Sequence, residues 1–324
     1  MTSTKTKVQK PGKPPSQGLA STWTQAFPPK PSFTEASLPD LTSQVYIVTG
    51  SNVGVGYEVA RILYSKNAKV YMAARSKPKA ERAIKTIQEA HPSSEGELVF
   101  LHLDLSDLRI VRQAAQTFLE KETKLHVLFN NAGLQAITDD KGEQRTAQGF
   151  EVHLGVNVLG PFLFTQLLTP VLVATASAEK RPNTVRVVWV SSSGTEIGGE
   201  PSKGMSPEYV DYWPQLSPLD RYGVSKAGNW LHGVELAKRL KSQGVISIPL
   251  NPGNLSSDLY RDWGCLLKTV LSTLMLHPVV YGAYTELWAG LSEEVTIERS
   301  GEWGKTLNLK KKEIHPGLLK RKNI

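Results

Sequence analysis

The chain has 324 residues, 21% of them charged and 40% apolar, and its single cysteine is Cys265. That length is ample to bury a core, as one large α/β domain or two small ones, and the composition excludes a disordered, collagen-like or disulfide-built protein. The formal charge of +8 sits at the ends. Residues 1–33 carry five lysines and no acid, residues 305–324 carry seven Lys/Arg against Glu313, and the body between them is left at −3. Basic tails on a slightly acidic body, with no groove-reading motif, argue against a nucleic-acid partner. One thiol supplies neither an internal bridge nor a structural zinc site. No metal is therefore expected, and a reducing, cytoplasmic setting is the simpler reading, with peripheral association at a membrane surface still open. The apolar stretch 269–285 is broken by His277-Pro278 and is too short and polar for a transmembrane segment.

Residues 1–40 hold seven of the twenty prolines and no apolar periodicity, which predicts a flexible arm. The arm is acid-poor, as transit peptides are, but it lacks arginine and its prolines defeat an amphipathic helix. From residue 44 onward, short apolar runs at 45–49, 69–75, 98–104, 127–131, 184–191 and 245–251 read as strands buried on both faces. Helical patterns fill 57–65, 78–90, 106–122, 147–175 and 221–242, and Ser106 and Asp107 offer N-cap chemistry to the third. This alternation predicts an α/β fold: a single doubly wound parallel sheet with helices on both faces and its ligand crevice at the carboxyl ends of the strands. The domain spans 41–304, and a basic tail, natural or the product of a misplaced gene end, occupies 305–324.

The first strand runs straight into Thr49-Gly50-Ser51-Asn52-Val53-Gly54-Val55-Gly56 and then a helix. Glycines in a strand-to-helix turn let backbone amides approach a pyrophosphate, although an ordinary tight turn would use them too. The spacing is Gly-x3-Gly-x-Gly rather than the Gly-x-Gly-x2-Gly of long-chain dehydrogenases. Further along stand Asp104-Leu105, Asn130-Asn131-Ala132-Gly133, Asn157, Ser191-Ser192, Tyr222-x3-Lys226 and Asn251-Pro252-Gly253, each after or within a predicted element. In this order and spacing, over residues 41–300, the chain resembles the short-chain dehydrogenase/reductase family. Phrases such as Asn251-Pro-Gly-Asn-Leu and Gly282-Ala-Tyr-Thr-Glu are similar to its fungal branch related to retinol dehydrogenases.

Tyr222 and Lys226 lie one helical turn apart and so face the same crevice. A free tyrosine, with a pKa of about 10, is a poor proton donor and acceptor at neutral pH, and a nearby ammonium favours its phenolate. The resemblance implies a Rossmann-type fold and an NADP(H) cofactor, with Lys226 also holding the nicotinamide ribose. It implies that Ser192 binds the substrate oxygen, in preference to its neighbours Ser191 and Ser193, and that Asn157 completes a proton relay. Singly, each of these residues could be a turn, a chance spacing or a backbone cap. Cofactor contacts are expected from Gly50, Asn52, Val55 and Gly56 of the loop, and from Asp104, Asn131, Tyr222, Lys226, Leu255 and Ser257. The end of the second strand, Ala73-Ala74-Arg75-Ser76, has no acid until Glu81. Arg75 can fork a 2′-phosphate there, unless it is only a solvated strand end.

Twenty-nine residues separate Ser192 from Tyr222 and include Tyr209, Tyr212 and Trp213. An aromatic loop at a crevice mouth suits a bulky apolar substrate, but it could equally be a packed surface loop or a dimer contact. A second substrate loop is expected around Tyr260 and Trp263. The expectation is an NADP-dependent oxidoreductase acting on a carbonyl or secondary alcohol, conceivably a fungal secondary metabolite or lipid-like ketone, in a chain able to form a homo-oligomer. The rival reading is a regulator that senses NADP(H) without turnover. It would be favoured by a missing catalytic residue, and none is missing.

Overall fold

The computed structural model describes residues 30–135, 144–193, 195, 216–255 and 276–304. Six strands form one parallel sheet: β1 Val45–Thr49, β2 Lys69–Ala74, β3 Glu97–His102, β4 Val127–Asn130, β5 Arg186–Val190 and β6 Ile246–Leu250. Their order is β3-β2-β1-β4-β5-β6. Because β1 sits in the middle, with β2 on one side and β4 on the other, the strand order reverses there and a crevice opens beyond the ends of β1 and β4.

Alternation along each strand feeds two cores. Tyr46, Val48, Phe129 and Val190 point to one face, packed under α1 (Gly54–Tyr64), α2 (Lys77–Ala90) and α6 (Val279–Leu291). Val45, Ile47, Leu128 and Trp189 point to the other, under α3 (Leu108–Leu119), α4 (Gly160–Ala178) and α5 (Pro218–Leu240). Strands buried on both sides cannot show a polar face, which is why they read as continuous apolar runs.

The structure departs from the expected elements in three places. The helix expected over 147–175 starts later: Gly149 has φ +82° in a turn closed by its amide bonding Thr146 O at 2.9 Å, and the run then opens with a π-turn over Leu154–Leu159. Helix α6 was absent from the expected set. Gly282, Ala283, Thr285, Glu286, Leu287, Trp288, Ala289 and Gly290 are all buried, so no polar stripe marks a helical period. Among the described residues, the stretch to weigh against a membrane is 154–178; the first part of 269–285 lies outside them. The stretch 154–178 forms 25 helical residues with an 18-residue window of mean hydropathy 1.7, long and apolar enough to span a bilayer by length and composition. Half of that window is buried inside the protein, where Phe164, Leu168 and Leu172 are core side chains, so a core role accounts for its composition.

At the edges of the domain, Leu38 is buried within the first face and Phe33 packs against it, although both lie in the segment expected as an arm. At the other end Gly304 bridges Leu250 in parallel beside β6.

Candidate active site

The loop after β1 is built for close approach. Gly50 and Gly54 have φ +68° and +64°, a region that costs glycine nothing. At Gly56 a Cβ would lie 2.5 Å from Asn131 Nδ2 and 2.8 Å from Gly50 O, so only glycine fits. No side chain caps α1 and no acid occupies its first turn, leaving its first amides directed at the crevice. A dinucleotide pyrophosphate fits that cradle by charge and by space. Val53 is exposed and Asn52 half-buried at the loop's rim. Val55 packs inward: a Cβ at Gly282 would meet both Val55 Cγ2 and Leu255 Cδ1, so α6 clamps the glycine loop against the segment after β6. The expected contact Ser257 lies outside the described residues, as do Tyr209, Tyr212, Trp213, Tyr260 and Trp263.

The segment after β4 is stitched to the end of β1. Asn131 Nδ2 donates to Thr49 O at 2.7 Å, and Ala132 N donates to Thr49 Oγ1 at 2.9 Å. Asn131 therefore shapes the wall of the cleft with its side chain already engaged. Asp104, half-buried after β3, accepts from Ser106 N and Ser106 Oγ through Oδ1. Arg75 is exposed at the end of β2, and exposed Lys77 and Lys79 follow it at the start of α2.

Helix α5 starts at the Ser217 cap, whose hydroxyl accepts from Asp220 N, and its second and third turns carry Tyr222 and Lys226. The two are 6% and 4% exposed, and Lys226 Nζ lies 5.9 Å from the centre of the Tyr222 ring. Nζ donates to Val190 O at 2.9 Å, at the carboxyl end of β5. Gly133 makes room for it, since a Cβ there would be 2.8 Å from Nζ. Burial pulls the ammonium down to about 8.

Asn157 sits in the π-turn, fully buried. Its Oδ1 accepts from Leu134 N, and its Nδ2 donates to Leu134 O and Ser225 Oγ, all at 2.9 Å. Its side chain thus ties the segment after β4 to α5, next to Lys226. Gly155 belongs to the same turn, where a Cβ would collide with Thr146 Cγ2. The serines at the end of β5 separate clearly. Ser191 Oγ donates to Lys226 O at 2.6 Å in the core, Ser193 Oγ lies 3.5 Å from Asn254 Oδ1, and Ser192 is half-buried between them. Sequence reasoning missed Gly133, which no local pattern marks as a neighbour of Lys226. It quoted Glu286 only as the end of Gly282-Ala-Tyr-Thr-Glu and gave that acid, hidden in an apolar helix, no role.

Residues 44–206 match the family model described as short chain dehydrogenase. A short-chain dehydrogenase/reductase of Phaeosphaeria nodorum is 59% identical over 293 residues, which cover 90% of this chain and 93% of that protein. One from Neocamarosporium betae is 58% identical, over 89% of this chain and 83% of its own length. Among solved structures, the RhlG/NADP active-site complex of Pseudomonas aeruginosa aligns with a TM-score of 0.63 at 23% identity, over 83% of this chain and 96% of that one. The 3-ketoacyl-(acyl-carrier-protein) reductase of Brucella melitensis complexed with NADH gives 0.61 at 21%, over 82% and 96%. At that identity they speak for the fold, a Rossmann-type sheet. With a glycine cradle beside β1 and a buried tyrosine–lysine pair on α5, the chain belongs to the short-chain dehydrogenase/reductase family of oxidoreductases.

Proposed function

We propose that the protein uses NADP(H) to interconvert a ketone and a secondary alcohol on an apolar small molecule of lipid or fungal secondary-metabolite type. The observation that carries the chemistry is Lys226 Nζ, held by Val190 O and lying 5.9 Å from the Tyr222 ring. An ammonium at that distance in a buried site stabilises the phenolate, so Tyr222 can donate a proton to the substrate oxygen in reduction and take it back in oxidation. Ser192 donates a hydrogen bond to the same oxygen, where charge develops; Ser191 is already spent on α5. Asn157 acts by holding the cleft wall and α5 in register beside Lys226. The bound dinucleotide would supply the hydride that adds to the carbonyl carbon.

Gly50, Asn52, Val55 and Gly56 would receive its pyrophosphate, Asp104 its adenine, and Lys226 and Tyr222 its nicotinamide ribose. Asn131 and Leu255 would line the groove, with Ser257 as a further contact. Arg75, exposed and with no acid before Glu81, favours a 2′-phosphate over a bare ribose hydroxyl. A bulky apolar substrate is supported by the aromatic insert between Ser192 and Tyr222.

The test is an oxidation screen with NADPH and NADH across ketones of increasing size. NADPH-dependent turnover rising with apolar size is expected. Binding of NADPH with no turnover on any ketone or alcohol, together with a protein partner retained only when cofactor is bound, would replace the enzyme with a sensor.

A further inference from the structure

Helix α6 carries a group that the chemistry above does not use. Gly282, Glu286 and Gly290 fall on one line of this helix, four residues apart. At Gly282 the line touches the glycine loop through Val55 and Leu255, and at Gly290 it touches the Phe129 ring of β4. Glu286, between them, thus faces the carboxyl edge of the sheet from the side opposite α5. It is 0% exposed, and neither carboxyl oxygen has a hydrogen-bond partner among the described residues. An acid so placed is costly to bury, and an apolar side chain would pack the same space without that cost.

The charges around it narrow its role. On α1, Glu58 and Arg61 pair at 2.8 Å, with Arg61 also 3.4 Å from His91. On β5, Arg186 is spent on the carbonyls of Ala289 and Ser292 at the far end of α6. Strands β4 and β6 carry no titratable side chain. Tyr284, on α6 itself, bonds Glu35. Among the described residues, the charge that acts on Glu286 is Lys226, reaching the end of β5 from α5.

We infer that Glu286 is a positioning residue of the active site: from the face of the sheet opposite α5, its buried carboxylate holds the proton on Lys226, beside Tyr222 and the cofactor groove, as the pH turns alkaline. This rests on the role of Lys226 proposed above. Burial raises Glu286 to about 8 and lowers Lys226 to about 8, so near neutrality the two titrate as one pair. In acid, Glu286 is protonated and Lys226 is charged without help. Above about pH 8 the carboxylate becomes the group that retains the proton on Lys226, and removing it should release that proton earlier.

The experiment follows NADPH binding and turnover of the full chain from about pH 5.5 to 10 for wild type, Glu286→Gln, Glu286→Asp and Lys226→Met. Glu286→Gln should match wild type within about twofold at the acid end and lose binding and turnover about one pH unit earlier at the alkaline end. Glu286→Asp should restore the wild-type profile in large part. A Gln variant with an unshifted profile, whether uniformly weakened or unchanged, overturns the inference. The infrared band of a protonated buried carboxyl gives a reading that does not depend on that variant folding. The band should persist to higher pH in Lys226→Met than in wild type, and an unchanged titration also overturns the inference. Lys226→Met that binds NADPH as wild type does at every pH would instead remove the role of Lys226, while the infrared coupling would still report on the pair.

Discussion

Replacing Lys226 with methionine should make the protein more stable below about pH 8 while disabling it. Burial lowers the ammonium from its ordinary 10.5 to about 8, and the side chain is 4% exposed. That gap corresponds to a penalty of about 3 kcal/mol for keeping the charge inside the folded protein. Methionine removes the penalty and loses one hydrogen bond to Val190 O, worth about 1 kcal/mol. That carbonyl still accepts from Asn229 Nδ2 at 3.2 Å, so it is not orphaned. Glu286, without its cation, stays protonated and neutral.

The net gain is about 2–3 kcal/mol, or about 5–10 °C in Tm for a domain of this size. The sign follows from linkage, because the folded lysine has the lower pKa. Below about pH 8 both states hold the proton and the penalty is complete. Between about 8 and 10.5 the unfolded chain alone is protonated, and wild type regains stability as pH rises. Thermal melting of both proteins without cofactor at about pH 6.5, 8 and 10 should show a gap that is widest in acid and nearly closed in base. A variant less stable than wild type at about pH 6.5, or a gap independent of pH, would mean that the ammonium is fully compensated and that the penalty does not exist.

Tyr222→Phe should lower turnover by about a hundredfold or more while NADPH binding, measured by fluorescence, largely survives. Arg75→Asp should reverse a cofactor preference of about ten- to a hundredfold, because a forked contact in an open groove contributes about 1.5–3 kcal/mol. Wild type that binds NADH more tightly than NADPH refutes the assignment of Arg75. Ser192→Ala and Ser191→Ala should differ in kind. The first should cut kcat by about a hundredfold, and the second should cost about 1–2 kcal/mol of stability through the lost bond to Lys226 O. Equal kinetic effects of the two would put the oxygen-binding role at the wrong serine.

The order of elements was legible in the sequence because every strand except the edge strand β3 is buried on both sides along nearly its whole length. Runs such as Val45–Thr49 and Arg186–Val190 have no polar face to disguise them, and the turns between them carry glycine, proline or asparagine. The glycine loop and the Tyr222–Lys226 pair were legible for a related reason. Helical and turn geometry are local, so spacing along the chain fixes which atoms share a face. What chain order could not give were relations between segments far apart in it. That Gly133 must be bare to admit Lys226, that Ser191 is committed to α5 and so differs from Ser192, and that Asn157 ties Leu134 to Ser225 all depend on contacts across 23 to 93 positions. Glu286 is the clearest instance. In the sequence it is one acid in an apolar stretch, and only the packing of α6 against the sheet buries it, strips it of partners and brings it within the field of a lysine 60 residues away. Periodicity reports which side of an element is buried, whereas the electrostatics of the cleft depend on what the fold brings to meet that side.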